Sequence, residues 1–224
     1  MDLKNSLLLV VALLNLMIGF YVYSKNWKSQ LRLSFLLLTI GVTLWILSIT
    51  LSNNFRILIY SLFWSTSFNY IAAGFIAFSF LWLTKLFPFE RQLSSKKLVV
   101  LFLPFLLLLI TLIFYPSFII TRVNFKPGSY DAIYNIYGYS IFSFYFLFYM
   151  GLGFYNLIKN YLLLEGVLKN NIKLLIIGLG IGAILGIIFD LILPFFNYWS
   201  LIWLGPYFSL VMVFCVAYMM MKKY

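Results

Sequence analysis

Apolar residues run along this chain in seven long stretches, at 6–24, 33–51, 57–84, 98–115, 136–158, 174–193 and 201–221, and polar residues gather in the short breaks between them. A helix needs about 20 residues to cross the hydrocarbon core of a bilayer, and each stretch is near that length. The pattern predicts an all-α membrane protein, a bundle of seven transmembrane helices. Those helices and their connections use essentially all of the 224 residues, so a single membrane domain over 1–224 is expected. Composition points the same way. Hydrophobic residues make up 64%, charged residues 9%, and mean hydropathy is +1.03, which excludes a soluble globular chain.

A net charge of +11 raises nucleic acid as a partner, but the distribution of the charge argues against it. With the N-terminus outside, the inner side carries Lys25, Lys28, Arg32, Lys85, Arg91, Lys96, Lys97, Lys159, Lys169, Lys173, Lys222 and Lys223. The outer side keeps Lys4, Arg56, Arg122 and Lys126. Twelve against four is the asymmetry of the positive-inside rule. These cations are expected to set the topology in the cell membrane, N-terminus outside and C-terminus inside, and to meet anionic headgroups. The first stretch is expected to be a retained helix rather than a signal peptide. Its upstream Lys4 is offset by Asp2, and no small-x-small cleavage site precedes Lys25. Aromatic residues cluster at the ends of the stretches: Tyr21, Tyr23 and Trp27, Tyr115, Tyr130, Tyr134, Tyr137 and Tyr139, Tyr198 and Trp199. They read as belts at the water–lipid interface.

Two helices carry small or polar residues at a spacing of four. In the third these are Ser61, Ser65, Asn69, Ala73 and Ala77; in the sixth they are Gly178, Gly182 and Gly186, inside the run GLGIGAILG. Small residues so spaced let helix backbones approach where lipid provides no hydrophobic drive, so both rows read as packing seams. The glycine run is not a nucleotide loop, because it lies within a span and follows no strand. Pro194 is expected to end the sixth helix, and Gly205-Pro206 to kink the seventh near its outer end. The longest outer connection, about 116–135, has its turn signal at Lys126-Pro127-Gly128. The absence of an internal repeat weakens an inverted-repeat transporter.

The chain has no histidine, five acidic residues and one cysteine, Cys215, in the last span. Histidine-based catalysis, haem on a histidine ligand, thiolate metal sites and an intramolecular disulfide are therefore excluded, and no paired carboxylates or serine triad can be assembled. No cofactor is expected. A retinal Schiff base would need a lysine within the seventh helix, which holds none before Lys222. Serines inside the spans are expected to bond to their own helix backbone. One ionisable residue remains within a span, Asp190. A carboxylate at the centre of a lone membrane helix costs about 2.5–3.5 kcal/mol. Asp190 follows Gly186 by four residues, which brings it close to the glycine face. It lies about 25 Å above the inner end at 1.5 Å per residue, in the outer third. Two readings stand: a polar anchor in a ligand pocket opening outward, shared with Asn69 or a neighbouring aromatic, or an interfacial Asp bonded to a Tyr or a backbone group.

The stretches KLLIIGLGIGAILGIIFDLILPFF and WLGPYFSLVMVFCVAYMMMKKY, with LLNLMIGFYVYSK, GVTLWILS and IAAGFIAFSFLWLTKLFP before them, resemble the N-terminal seven-transmembrane sensor region of bacterial histidine kinases. The resemblance covers nearly the whole chain and rests on apolar patterning together with Trp45, Pro88, Gly178, Pro194, Gly205 and Pro206. It implies a region that receives a signal at or within the membrane and passes it through the last helix to a cytoplasmic module. The 224 residues end where such a module would begin, so a truncated product or a stand-alone receptor acting on a separate partner is expected, without kinase activity of its own. Asp190 is not part of what the resemblance carries over.

The leading expectation is a signal-receiving membrane module. A small or lipophilic ligand, or the state of the bilayer, would shift the sixth or seventh helix, and a cytoplasmic partner or a second copy would read the change. The glycine row, Gly205 and Pro206 are candidate switch positions, and Gly182→Leu is expected to lock or unfold the bundle. The alternatives are a small proton- or cation-linked carrier or channel that uses Asp190, and an accessory subunit of a larger membrane complex.

Overall fold

The computed structural model describes residues 3–54, 59–88, 92–126, 129–196 and 198–222. It contains seven helices long and apolar enough to cross a membrane, as the apolar stretches predict. They are α1 (Leu3–Ser24), α2 (Gln30–Asn54), α3 (Ile59–Leu86), α4 (Ser95–Phe114), α5 (Ile136–Leu163), α6 (Gly166–Ile187, prolonged to Phe195) and α7 (Gly205–Lys222). Most helix ends pass the apolar stretches by a few residues, where flanking polar residues complete a turn, but α7 starts at Gly205, inside its stretch.

α2 and α3 form the middle of the bundle and are the most enclosed, whereas α1, α4, α5 and α6 present mainly apolar side chains outward. The enclosure of α2 is possible because its hydroxyls bond locally. Ser34, Thr39 and Ser48 donate to the carbonyls of Leu31, Leu36 and Trp45, and Thr50 and Ser52 to those of Ile46 and Ser48. Each buried hydroxyl thus has an acceptor on its own helix, as expected of the span serines. Ser79 and Ser143 depart from that rule; their hydroxyls are buried without a partner among the described residues.

Polar cross-links tie each end of the bundle. At one end the Gln30 side chain pairs with the backbone of Leu93, the Asn160 amide donates to Phe87 O at 2.8 Å, and buried Arg32 donates to Val22 O. Val22 lies in the last turn of α1, where carbonyls lack intrahelical partners and a cation is favoured. These contacts gather the α1–α2 and α3–α4 connections and the end of α5 on one face, the face that carries most of the lysines. At the other end Lys4 sits over the Trp203 ring, 4.9 Å from its centroid, and Tyr70 meets Tyr134 hydroxyl to hydroxyl at 3.2 Å.

Three features depart from the expectations. The 116–135 connection is not a plain loop. It forms an antiparallel hairpin of β1 (Ile120–Lys126) and β2 (Ser129–Tyr134), with an irregularity between Ile120 and Arg122. The spans themselves are all helical, as expected, and the hairpin is confined to this connection. Buried Ile119, Ile120 and Ala132 hold the hairpin onto a cluster with Leu108, Leu112 and Phe142. Pro194 does not end α6 at the preceding residue. The helix widens into a π turn over Ile188–Ile192, with Leu193 N donating to Ile188 O, and continues through Pro194 to Phe195. Five-residue spacing shifts the hydrogen-bond register just where proline lacks a donor. Gly205-Pro206 is not a kink inside the last helix. The pair opens α7 directly after a 3-10 segment, Trp199–Leu204, and proline is tolerated in a first turn because that N–H has no intrahelical partner.

Of the aromatic residues at the ends of the stretches, Tyr21, Trp27, Tyr115, Tyr137 and Tyr198 are exposed, whereas Tyr139 is 4% exposed. Its hydroxyl donates to Leu191 O, and its ring stacks on Phe195.

Candidate functional site

α2, α3, α5, α6 and α7 surround a cavity of about 90 Å³, room for several waters or a small organic group. Val42, Ile76, Phe142, Phe146 and Met150 make its walls apolar. Asn69 from α3 and Asp190 from the π turn both line it, as do Gly182, Gly186 and Gly205.

The sixth-helix glycines are not equivalent. Gly178 is buried against Cys215 of α7, whose Cβ lies 2.7 Å from where a Cβ at 178 would stand. At Gly182 an added Cβ would be 3.1 Å from Met212 Cβ and 3.2 Å from Phe208 O. These two form a seam between α6 and α7. Gly186 has nothing within 4 Å of such a Cβ; it faces the cavity and packs against nothing. In the third-helix row, Ala77 is fully buried and Ala73 lines the cavity. The side chains of Ser61 and Ser65 lie outside the described residues.

Both carboxylate oxygens of Asp190 are buried and have no hydrogen-bond partner among the described residues. The reading of an interfacial Asp bonded to a tyrosine or to backbone is not what the structure shows, since the nearby Tyr139 hydroxyl goes to Leu191 O instead. Asp190 rests against the backbone of Gly205, where any side chain would run into the carboxylate. No lysine or arginine lines the cavity among the described residues. Removing a carboxylate from water without a donor or a counter-charge is among the costlier arrangements in a protein interior.

Asn69 is better provided for. Its side-chain amide meets Ser48 Oγ at 2.9 Å, a hydroxyl that also lies 2.7 Å from Trp45 O, and the one hydroxyl proton serves one of these acceptors at a time. Sequence reasoning missed two further polar residues at the site. Asn15 of α1, fully buried, donates to Ser209 Oγ at 3.2 Å, and Ser209, which lines the cavity, donates to Pro206 O at 2.6 Å. Asn15 Oδ1 is itself buried without a partner. An asparagine in the middle of an apolar span was the available signal, since an amide there has to find a partner on another helix. Pro194, Gly178 and Pro206 do not line the cavity; of the three, Pro206 touches a lining residue, its carbonyl accepting from Ser209.

A scan against protein-family models finds no match to this chain, and a search of curated proteins finds none either.

Proposed function

We propose that this protein is a signal-receiving module of the cell membrane, N-terminus outside and C-terminus inside, of the kind found at the input end of sensor histidine kinases and without kinase activity of its own. Its ligand is a small, mainly apolar molecule with a cationic or hydrogen-bond-donating head, and Asp190 is the anchor for that head. The observation that carries this reading is a carboxylate that has no partner among the described residues and faces an apolar cavity. A protonated amine would supply the donor and the charge that the lining residues do not, and Asn69 would add one more polar contact. The route for a response is short. Asp190 abuts Gly205, the first residue of α7, so a ligand that draws the carboxylate away changes the packing at the start of that helix. For the ligand to act as a signal it has to bind one of two packings better than the other. The chain from Met219 onward would then present the change to a cytoplasmic partner or a second copy.

The test uses benzylamine against benzyl alcohol, of similar shape, with hydrogen–deuterium exchange of the detergent-solubilised protein. Benzylamine is expected to slow exchange in 188–195 and 205–222, benzyl alcohol to do so far less, and Asp190→Asn to erase the difference. Equal effects of the two probes, or an amine effect that survives in Asp190→Asn, would sink the reading.

The same unpartnered carboxylate also favours a second reading, a carrier in which Asp190 binds a proton or a cation. Cation flux into liposomes that disappears in Asp190→Asn, with no amine-dependent change in α7, would establish the carrier in place of the sensor.

A further inference from the structure

A second concavity lies apart from the Asp190 cavity, at the lysine-rich face. α4 and α5 both pack against α3 and leave between them a cleft of about 470 Å³. Tyr149 and Leu101 both line the cleft, and the Tyr149 hydroxyl donates to Leu101 O at 2.9 Å, so it already has an acceptor. Val100, Phe148 and Leu152 line the cleft and are exposed on helices that present apolar side chains outward. Lys85, in the last turn of α3, and Lys96 and Lys97, in the first turn of α4, converge at its mouth. All three are exposed, and no ion pair engages them among the described residues.

The positive-inside rule asks for cations on this face but not for three of them around one opening. Lys96 and Lys97 also stand at a helix N-terminus, where the dipole disfavours cations, so the stability of α4 does not explain them. An apolar trough that opens sideways to lipid, with a triad of cations where headgroups lie, matches an amphiphile with one anionic head. A soluble anion would meet the lysines and leave the trough unused. A neutral lipid would leave the cations unmatched. We propose that the α4–α5 cleft is a binding site for an anionic phospholipid, with its phosphate on Lys85, Lys96 and Lys97 and an acyl chain along Val100, Phe148 and Leu152. Basic pockets between transmembrane helices bind anionic headgroups by this chemistry.

Delipidated protein in neutral detergent is titrated with dioleoylphosphatidylglycerol and with dioleoylphosphatidylcholine, and bound lipid is counted by native mass spectrometry. With three lysines near one phosphate, phosphatidylglycerol should bind on the order of ten- to a hundredfold more tightly. The triple variant Lys85→Gln/Lys96→Gln/Lys97→Gln should bring that preference close to one. A control triple on the same face, Lys25→Gln/Lys28→Gln/Lys222→Gln, should keep it. Leu152→Trp, which fills the trough and spares the charges, should weaken phosphatidylglycerol binding even if the lysine triple proves unstable. Glycerophosphoglycerol, the headgroup without chains, should not compete. Equal losses in the two lysine triples would mean diffuse surface charge, competition by the bare headgroup would mean a soluble-anion site, and unchanged binding in Leu152→Trp would remove the trough. Each of these overturns the proposal, and none bears on Asp190.

Discussion

At the scale of single residues, adjacent positions of one motif can carry opposite consequences. Gly178, Gly182 and Gly186 share a spacing of four, yet a methyl group at 178 would collide with Cys215, one at 182 would press on Met212, and one at 186 would meet nothing. Gly178→Ala should therefore destabilise the bundle by about 1–3 kcal/mol, the usual cost of overpacking. Gly186→Ala should be neutral or stabilising by about 0.5–1 kcal/mol, since alanine loses less entropy than glycine in a helix. Thermal unfolding in detergent measures both, and equal shifts would mean that the α6–α7 seam is not where the structure has it. The contrast at Asp190 is of another kind. Asp190→Leu removes a buried group with no partner among the described residues, so the free protein should become more stable while its response to benzylamine is lost.

At the scale of elements, the end of α6 is the part most shaped by its surroundings. The π turn accommodates Pro194 and carries Asp190, and the Tyr139 hydroxyl of α5 fastens it by donating to Leu191 O. Side-chain hydrogen bonds between membrane helices contribute about 0.6–2 kcal/mol. Tyr139→Phe should cost an amount in that range and speed hydrogen exchange in 188–195. Tyr137→Phe, at a side chain 79% exposed, should do neither. Helix positions were legible because long apolar runs identify membrane helices almost by length alone. The hairpin was less legible. Its alternation in ITRVNFK and SYDAIY is short, and next to spans of about 20 residues the turn signal at Lys126-Pro127-Gly128 was the part that stood out. The π turn had no signature of its own, because proline followed by a loop is also how an ordinary helix stops.

At the scale of the whole molecule, basic residues and cross-links select the same face. Gln30, Leu93, Phe87 and Asn160 come together there, alongside Lys25 and Lys28 of the α1–α2 connection and Lys96 and Lys97 of the first turn of α4. If that face is cytoplasmic, cysteines in a Cys215→Ser background should report it in intact cells. A membrane-impermeant maleimide should label Tyr137→Cys from outside, and Lys28→Cys only after permeabilisation. The opposite order would invert the molecule and place the Asp190 side of the cavity toward the cytoplasm.

The sequence by itself determined the number of helices, their approximate limits and the segregation of charge to the connections and the helix ends. Those properties are additive along the chain: twenty apolar residues are costly to expose wherever they fold, and a lysine in a connection stays near water. It also singled out Asp190 and Asn69, because a polar group in an apolar run is visible without a structure. Tertiary structure decided what they face. Which of the three glycines packs and which opens a void, whether Tyr139 points to lipid or inward, and that Asn15 meets Ser209 across 194 residues all depend on which helix faces meet. With small residues on several faces and no hydrophobic drive between helices in lipid, that choice rests on the shape and hydrogen bonding of all the neighbours together, and no single segment encodes it.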